Sequence, residues 1–124
     1  MQTFPKIERL CNKNAISNLF ANGSSITEQP FRLIWEIHDN PKLTRAQTLI
    51  VVPKRNLKLA TDRNKVKRRT KEAFRLNKEQ LYDRLNVKNQ YVNIAIVYQK
   101  QEILSYTLIE EKIKLILSRL TEEI

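Results

Sequence analysis

Several residue types that build common functional sites are nearly absent from the 124-residue sequence. It has one cysteine, Cys11, and one histidine, His38. One cysteine cannot close an intrachain disulfide, and one cysteine with one histidine cannot supply the ligands of a structural zinc site. We interpret Cys11 as a buried or idle thiol. The composition therefore excludes disulfide-stapled folds and zinc modules.

Long apolar segments are also missing. No run approaches the roughly 18 apolar residues that a membrane-spanning helix needs. The first residues, MQTFPKIERL, lack the charged stretch followed by an apolar stretch that marks a secretory signal. We therefore expect a cytoplasmic protein with no membrane partner. Its length is typical of one domain, and we predict a single domain over residues 1–124.

Acidic residues are scarce relative to basic ones. The chain has 23 Lys and Arg against 13 Asp and Glu, which gives a formal net charge of +10. Such an excess creates an attractive field for a polyanion, although it says nothing about the fold. Nucleic acid is therefore the leading candidate partner.

Hydrophobic periodicity predicts helices at both ends of the chain and strands between them. Residues 14–22 have helical spacing and precede Gly23, which we predict to end the helix in a left-handed conformation. Alternation over 31–37 predicts a strand with Phe31, Leu33, Trp35 and Ile37 on its core face, and apolar runs at 48–52 and 91–98 predict two more. A last helix is predicted to begin with a capping box, Thr107-x-x-Glu110. The order predicts an α/β (α+β) sandwich with about three strands.

Residues 62–75, DRNKVKRRTKEAFR, form the most informative segment. We predict Asp62 as the N-cap residue. On a helical wheel one side is mostly apolar, while the other carries Asn64, Lys67, Arg68, Lys71 and Arg75. This row could follow the phosphates of a nucleic acid, although a basic helix face can also be merely solvated.

The same segment resembles the signature helix of the bacterial ribonuclease P protein family, whose usual form is RNRIKR followed by a basic residue and Phe. Here the motif reads RNK at 63–65, VKR at 66–68 and KEAFR at 71–75. The resemblance extends over most of the chain, from Arg9 and Leu10 through Leu19, Phe20 and Gly23 to Lys54 and Arg55, and on to residues 91–119.

The resemblance implies a small mixed sheet with helices and a left-handed βαβ crossover around the signature helix. It implies that the protein binds the ribonuclease P catalytic RNA and precursor tRNA, one protein per RNA, with Mg²⁺ serving the RNA-catalysed reaction and no cofactor bound by the protein alone. The residues implied to face the catalytic RNA are Arg63, Asn64, Lys65, Lys67, Arg68, Lys71 and Arg75. Those implied to line a cleft for the single-stranded 5′ leader are Ile16, Phe20, Ile34, Lys54 and Arg55.

Four positions depart from the family pattern. Lys65 replaces Arg and lacks its planar fork, while Thr70 replaces Leu or Ile, which predicts looser packing beneath the helix. Ile16 and Ile34 stand where aromatic residues are frequent. Stacking contributes roughly 1–3 kcal/mol per base, so these two replacements predict weaker leader binding or the use of Trp35, for which a core role is favoured by strand alternation.

No constellation in the sequence supports hydrolysis by the protein itself. Phosphodiester cleavage needs clustered carboxylates for metal ions or positioned acid and base groups, whereas His38 is alone and the aspartates form no recognisable cluster. We therefore predict no catalytic and no metal-binding residue, and we assign the chemistry to the RNA partner. Two alternatives remain open: a ribosomal or ribosome-assembly protein, and a stand-alone ribonuclease.

Overall fold

The computed structural model describes residues 6–42 and 44–124. After a short 3-10 turn at Lys6–Glu8, the chain forms four helices and four strands. In chain order these are α1 (Lys13–Asn22), β1 (Ser24–Glu28), β2 (Phe31–His38), β3 (Ala46–Val51), α2 (Ala60–Asn77), α3 (Glu79–Lys88), β4 (Tyr91–Tyr98) and α4 (Tyr106–Glu123).

The strands form one mixed sheet in the order β1-β2-β4-β3. Neighbours pair antiparallel except β3 and β4, which are parallel and are joined by a crossover containing α2 and α3. The predicted α/β (α+β) class with a small mixed sheet is confirmed, and the hand of the crossover stays a prediction. The estimate of three strands was one too low, because β1 is an edge strand whose only buried residue is Ile26.

One face of the sheet carries the main core. Phe31 and Leu33 are fully buried there, and Trp35 and Ile37 pack against the same core, so the predicted core role of Trp35 is confirmed. Helices α2, α3 and α4 cover this face through apolar side chains at helical spacing. Because β-strand side chains alternate, the residues between them point to the opposite face.

That opposite face is crossed by α1 alone among the helices described. The segment before α1 pairs with the sheet edge, where the Leu10 N–H donates to the Thr48 carbonyl at 3.0 Å. Leu19 and Ile34 are buried together in a second, smaller core with Ala95. Since α1 begins beside β3 and leads into β1, it lies across the strands and divides this face into two halves.

Three predicted helix boundaries need correction. Gly23 has φ −71°, not a left-handed conformation; a Cβ at this position would lie 2.5 Å from the Leu19 carbonyl oxygen, so glycine is required by close packing. Helix α2 begins two residues before Asp62, which therefore sits in its first turn and is not the N-cap. Helix α4 is capped by Ser105, whose side chain accepts from the Leu108 N–H, so the Thr107 capping box was wrong.

Candidate nucleic-acid interface

Helix α2 is held to the protein by its apolar side, as the sequence predicted. Val66, Ala73 and Phe74 are fully buried, and the helix packs mainly on α4. Thr70 is fully buried and its hydroxyl donates to the Val66 carbonyl at 2.8 Å, while looser packing beneath the helix stays a prediction. A buried hydroxyl with a hydrogen-bond partner carries little penalty. The buried side therefore fixes which face of α2 points to solvent.

The outward face presents basic and amide groups that are not paired with any other part of the described chain. Asn64, Lys65, Arg68 and Lys71 are exposed, and within the described chain no hydrogen bond or ion pair involves their side chains. Lys67 is half-buried beside them. Cations without internal partners are free to neutralise phosphates and release their counterions.

Arg63 lies nearer the buried side of α2. It is half-buried, and its Nη1 donates to the backbone carbonyls of Leu57 and Lys58 at 2.9 and 2.8 Å. The guanidinium thus ties the loop after β3 to the first turn of α2. On the helix's other flank Arg69, which sequence reasoning did not select, donates to the Leu104 carbonyl at 2.7 Å. Both arginines position loops, which only tertiary contacts could reveal.

Arg75 ends the basic row with an ion pair. Its Nη2 lies 2.5 Å from Glu72 Oε1, and its Nε lies 3.0 Å from Glu72 Oε2. The hydrogen bond from Arg75 lowers the pKa of Glu72, so both groups stay charged at neutral pH. Arg75 therefore adds less free positive charge to the row than Arg68 or Lys71.

The predicted leader cleft lies on one flank of α1. Phe20 is 46% exposed and Ile16 is half-buried, whereas Ile34 is only 2% exposed. Ile34 packs under α1 against Leu19, so in this structure it is a core residue and offers almost no surface to a ligand. Its burial depends on where α1 crosses the sheet, which strand alternation alone could not predict.

The strand register supplies cleft residues that sequence reasoning missed. The register aligns Arg32 of β2, Val97 of β4 and Val51 of β3 across the sheet, in the row next to Ile34. Val51 and Val97 are half-buried and Arg32 is exposed. Just beyond β3, Lys54 and Arg55 are also exposed. This arrangement gives an apolar floor with basic groups at two edges, which suits unpaired bases attached to a phosphate backbone.

The described residues contain no cluster of three or more His, Cys, Asp and Glu side chains that could hold a metal ion. His38 stacks on Tyr91 with ring centroids 5.9 Å apart, and Cys11 is exposed and unpaired. Among the same residues, none of the helices is both long and apolar enough to span a bilayer.

Comparison with known proteins gives one consistent family. The family model described as Ribonuclease P matches residues 4–121. The Ribonuclease P protein component of Porphyromonas gingivalis strain W83 is 30% identical over 115 residues, which cover 93% of this chain and 84% of that protein. The solved structure of the Staphylococcus aureus RNase P protein is 20% identical, with a TM-score of 0.72 over 93% of this chain and 96% of its own. That of the Thermotoga maritima RNase P protein is 24% identical, with a TM-score of 0.69 over 94% and 97%.

Proposed function

This chain belongs to the ribonuclease P protein family, and on that premise we propose that it binds the catalytic RNA of ribonuclease P and the 5′ leader of precursor tRNA, and so promotes 5′ maturation of tRNA. The observation that carries the proposal is the exposed face of α2. There Asn64, Lys65, Arg68 and Lys71 are exposed, and their side chains have no partner among the residues that the structure describes.

The catalytic RNA is the proposed partner of this face. A straight helix can place side chains one and two turns apart against successive phosphates, and Arg68 and Lys71 lie three residues apart on one side. Arg63 contributes to RNA binding indirectly, because its hydrogen bond to the Lys58 carbonyl fixes the position of the loop relative to the first turn of α2. One such helix per protein supports a complex of one protein with one RNA.

The leader is the proposed occupant of the apolar half of the sheet face. Phe20 is the aromatic residue of α1 and is 46% exposed, and we place the leader between it and the row of Arg32, Val97 and Val51. Stacking on an aromatic ring is tolerant of sequence, because every base has a flat apolar face. With isoleucine at 16 and 34, Phe20 carries the stacking alone.

We assign the chemistry to the RNA and its bound Mg²⁺, in the cytoplasm where precursor tRNA is made. The chain contributes charge and position: its cations lower the repulsion between two RNAs that are brought together. Weaker repulsion strengthens the binding of substrate and of divalent ions at the RNA's own sites.

Two assays test this assignment. Adding EDTA should abolish cleavage by the reconstituted ribonucleoprotein, while the protein alone should cut nothing with or without Mg²⁺; metal-dependent cleavage by the protein alone would refute it. Phe20→Ala should weaken binding of a precursor with a leader by about tenfold and leave a leaderless tRNA unaffected. Val87→Ala, which truncates an exposed apolar side chain on α3, is the matched control. Equal effects of both variants would exclude a leader contact at Phe20.

A further inference from the structure

The second half of the sheet face, on the other flank of α1, differs sharply from the leader cleft. Its register row consists of Glu36, Asn93 and Gln47, all polar and half-buried. Beyond this row, His38 stacks on Tyr91. The two halves thus share one sheet and one helix but offer opposite chemistry: one is apolar with basic edges, and the other is rich in amide and carboxylate groups.

A cavity of about 600 Å³ occupies this polar half, a size within the range of small-ligand sites. We call it the polar cavity. Side chains of α1, of β2 and its following turn, and of β4 line it, among them Asn18, Glu36, His38, Asp39, Lys42 and Asn93. The Asn18 amide donates to both Glu36 oxygens at 2.8 and 3.0 Å, which holds the carboxylate in place.

The walls of the polar cavity have hydrogen-bonding capacity that the protein does not use. Asn93 Oδ1 and His38 Nδ1 are buried and have no hydrogen-bond partner among the described atoms. A single nitrogen, Asn18 Nδ2, donates to both Glu36 oxygens, so it occupies the side of the carboxylate that a ligand with two adjacent donors would use. Unpaired polar atoms are costly when buried. Asn93 Oδ1 can only accept and Glu36 carries a carboxylate, so a fitting ligand is one that presents several donors.

The charges in the polar cavity select against other occupants. Glu36 and Asp39 would repel a phosphate placed between them. The described residues offer no set of three metal-binding side chains there or elsewhere. Among the groups of an RNA, the Watson–Crick edge of guanine presents an N1–H and a 2-amino group side by side, which match a carboxylate in a bidentate pair. Lys42 supplies a cation for the phosphate of the same nucleotide.

We propose that the polar cavity binds one unpaired guanine base, whose N1–H and 2-amino group replace the Asn18 amide as donors to the two Glu36 oxygens. The proposal rests on the proposed function only in taking RNA as the partner. It adds a second, base-selective contact on the flank of α1 opposite the leader cleft, and it gives a role to Glu36, which the leader cleft and the α2 face do not use.

The test uses the whole protein and free mononucleotides. Guanosine, inosine and adenosine 5′-monophosphates are titrated while NMR follows the backbone amides of β2 and β4. Inosine lacks only the 2-amino group, so it should bind about tenfold more weakly than guanosine, and adenosine should bind weakest. Glu36→Gln keeps an acceptor for Asn18 but removes the charge, and it should bring guanosine down to the affinity of adenosine. Glu111→Gln, an exposed carboxylate on α4 across the sheet, should change nothing.

Equal affinities for the three nucleotides, or full guanosine affinity in Glu36→Gln, would overturn the proposal. The comparison of the three nucleotides on the wild-type protein tests the proposal even if the variant does not fold. Measuring cleavage stimulation on the same samples separates the two levels of the account. Normal stimulation by wild-type protein with no preference for guanine would refute this site alone, whereas absent stimulation with a guanine preference would refute the proposed function alone.

Discussion

Removing Arg68 and Lys71 together tests whether the exposed face of α2 contacts RNA. Both side chains point to solvent and lack internal partners among the described contacts, so Arg68→Ala with Lys71→Ala should not disturb folding. Alanine is also the best helix former, which favours α2. Any loss of RNA affinity in this double variant therefore comes from charge at the interface.

The size of the effect follows from counterion release. Each phosphate contact contributes about 0.7–0.9 to the slope of log affinity against log salt. Two contacts should therefore flatten the slope by about 1.4–1.8, and at 0.1 M salt the affinity for the catalytic RNA should fall by about 25- to 60-fold. The difference should shrink as salt rises, because the lost contacts are the salt-sensitive ones.

The assay is a filter-binding or fluorescence titration with the catalytic RNA at several salt concentrations. Lys88→Ala with Lys114→Ala is the matched control, since both lysines are exposed and lie on α3 and α4, and the net charge falls equally. If only the net positive charge of the protein mattered, both double variants would lose RNA affinity equally. Unchanged affinity and slope for the α2 variant would mean that its basic face is merely solvated, and would refute the reasoning.

Three further predictions concern the scaffold. Gly23→Ala places a Cβ 2.5 Å from a backbone oxygen, and should lower the free energy of unfolding in urea by about 1–3 kcal/mol; an unchanged midpoint would contradict the close packing. Lys78 Nζ lies 2.6 Å from Glu8 Oε2, so Lys78→Met leaves the buried Glu8 without its cationic partner and should lower the free energy of unfolding by about 3 kcal/mol. Adding Glu8→Gln should recover part of this loss. No recovery would argue against the ion pair. Burial raises the pKa of Tyr82. The contribution of the neutral phenol to stability is therefore complete below its unfolded pKa of about 10 and is lost as the pH rises from there through the folded pKa. Tyr82→Phe should flatten the alkaline decline in the free energy of unfolding, and parallel curves for the two proteins would contradict this.

The sequence predicted the elements that combine a strong periodicity with a clear chemical pattern. Helix α2 has both an apolar side and a basic side, and strands β2 and β4 have long alternating or apolar runs. Helix α3 was missed because only Leu81 and Leu85 in it are buried, which is too short a pattern to stand out. Strand β1 was missed for the same reason, with one buried residue.

Details of the site depended on long-range contacts that the local pattern does not contain. Ile34 has the alternation of a surface-facing residue, yet it is buried because α1 crosses above it. Arg63 belongs to the signature motif, yet its guanidinium binds the loop at Leu57 and Lys58. Arg32 entered the cleft only once the register with Val97 was known.

Reconstituted cleavage tests the central claim most directly. A precursor tRNA with a 5′ leader is incubated at low Mg²⁺ with a bacterial ribonuclease P RNA, with and without this protein. We predict strong stimulation and a product that begins at the mature 5′ end of the tRNA. Tight binding of the RNA with no stimulation, or cleavage at another position, would contradict it.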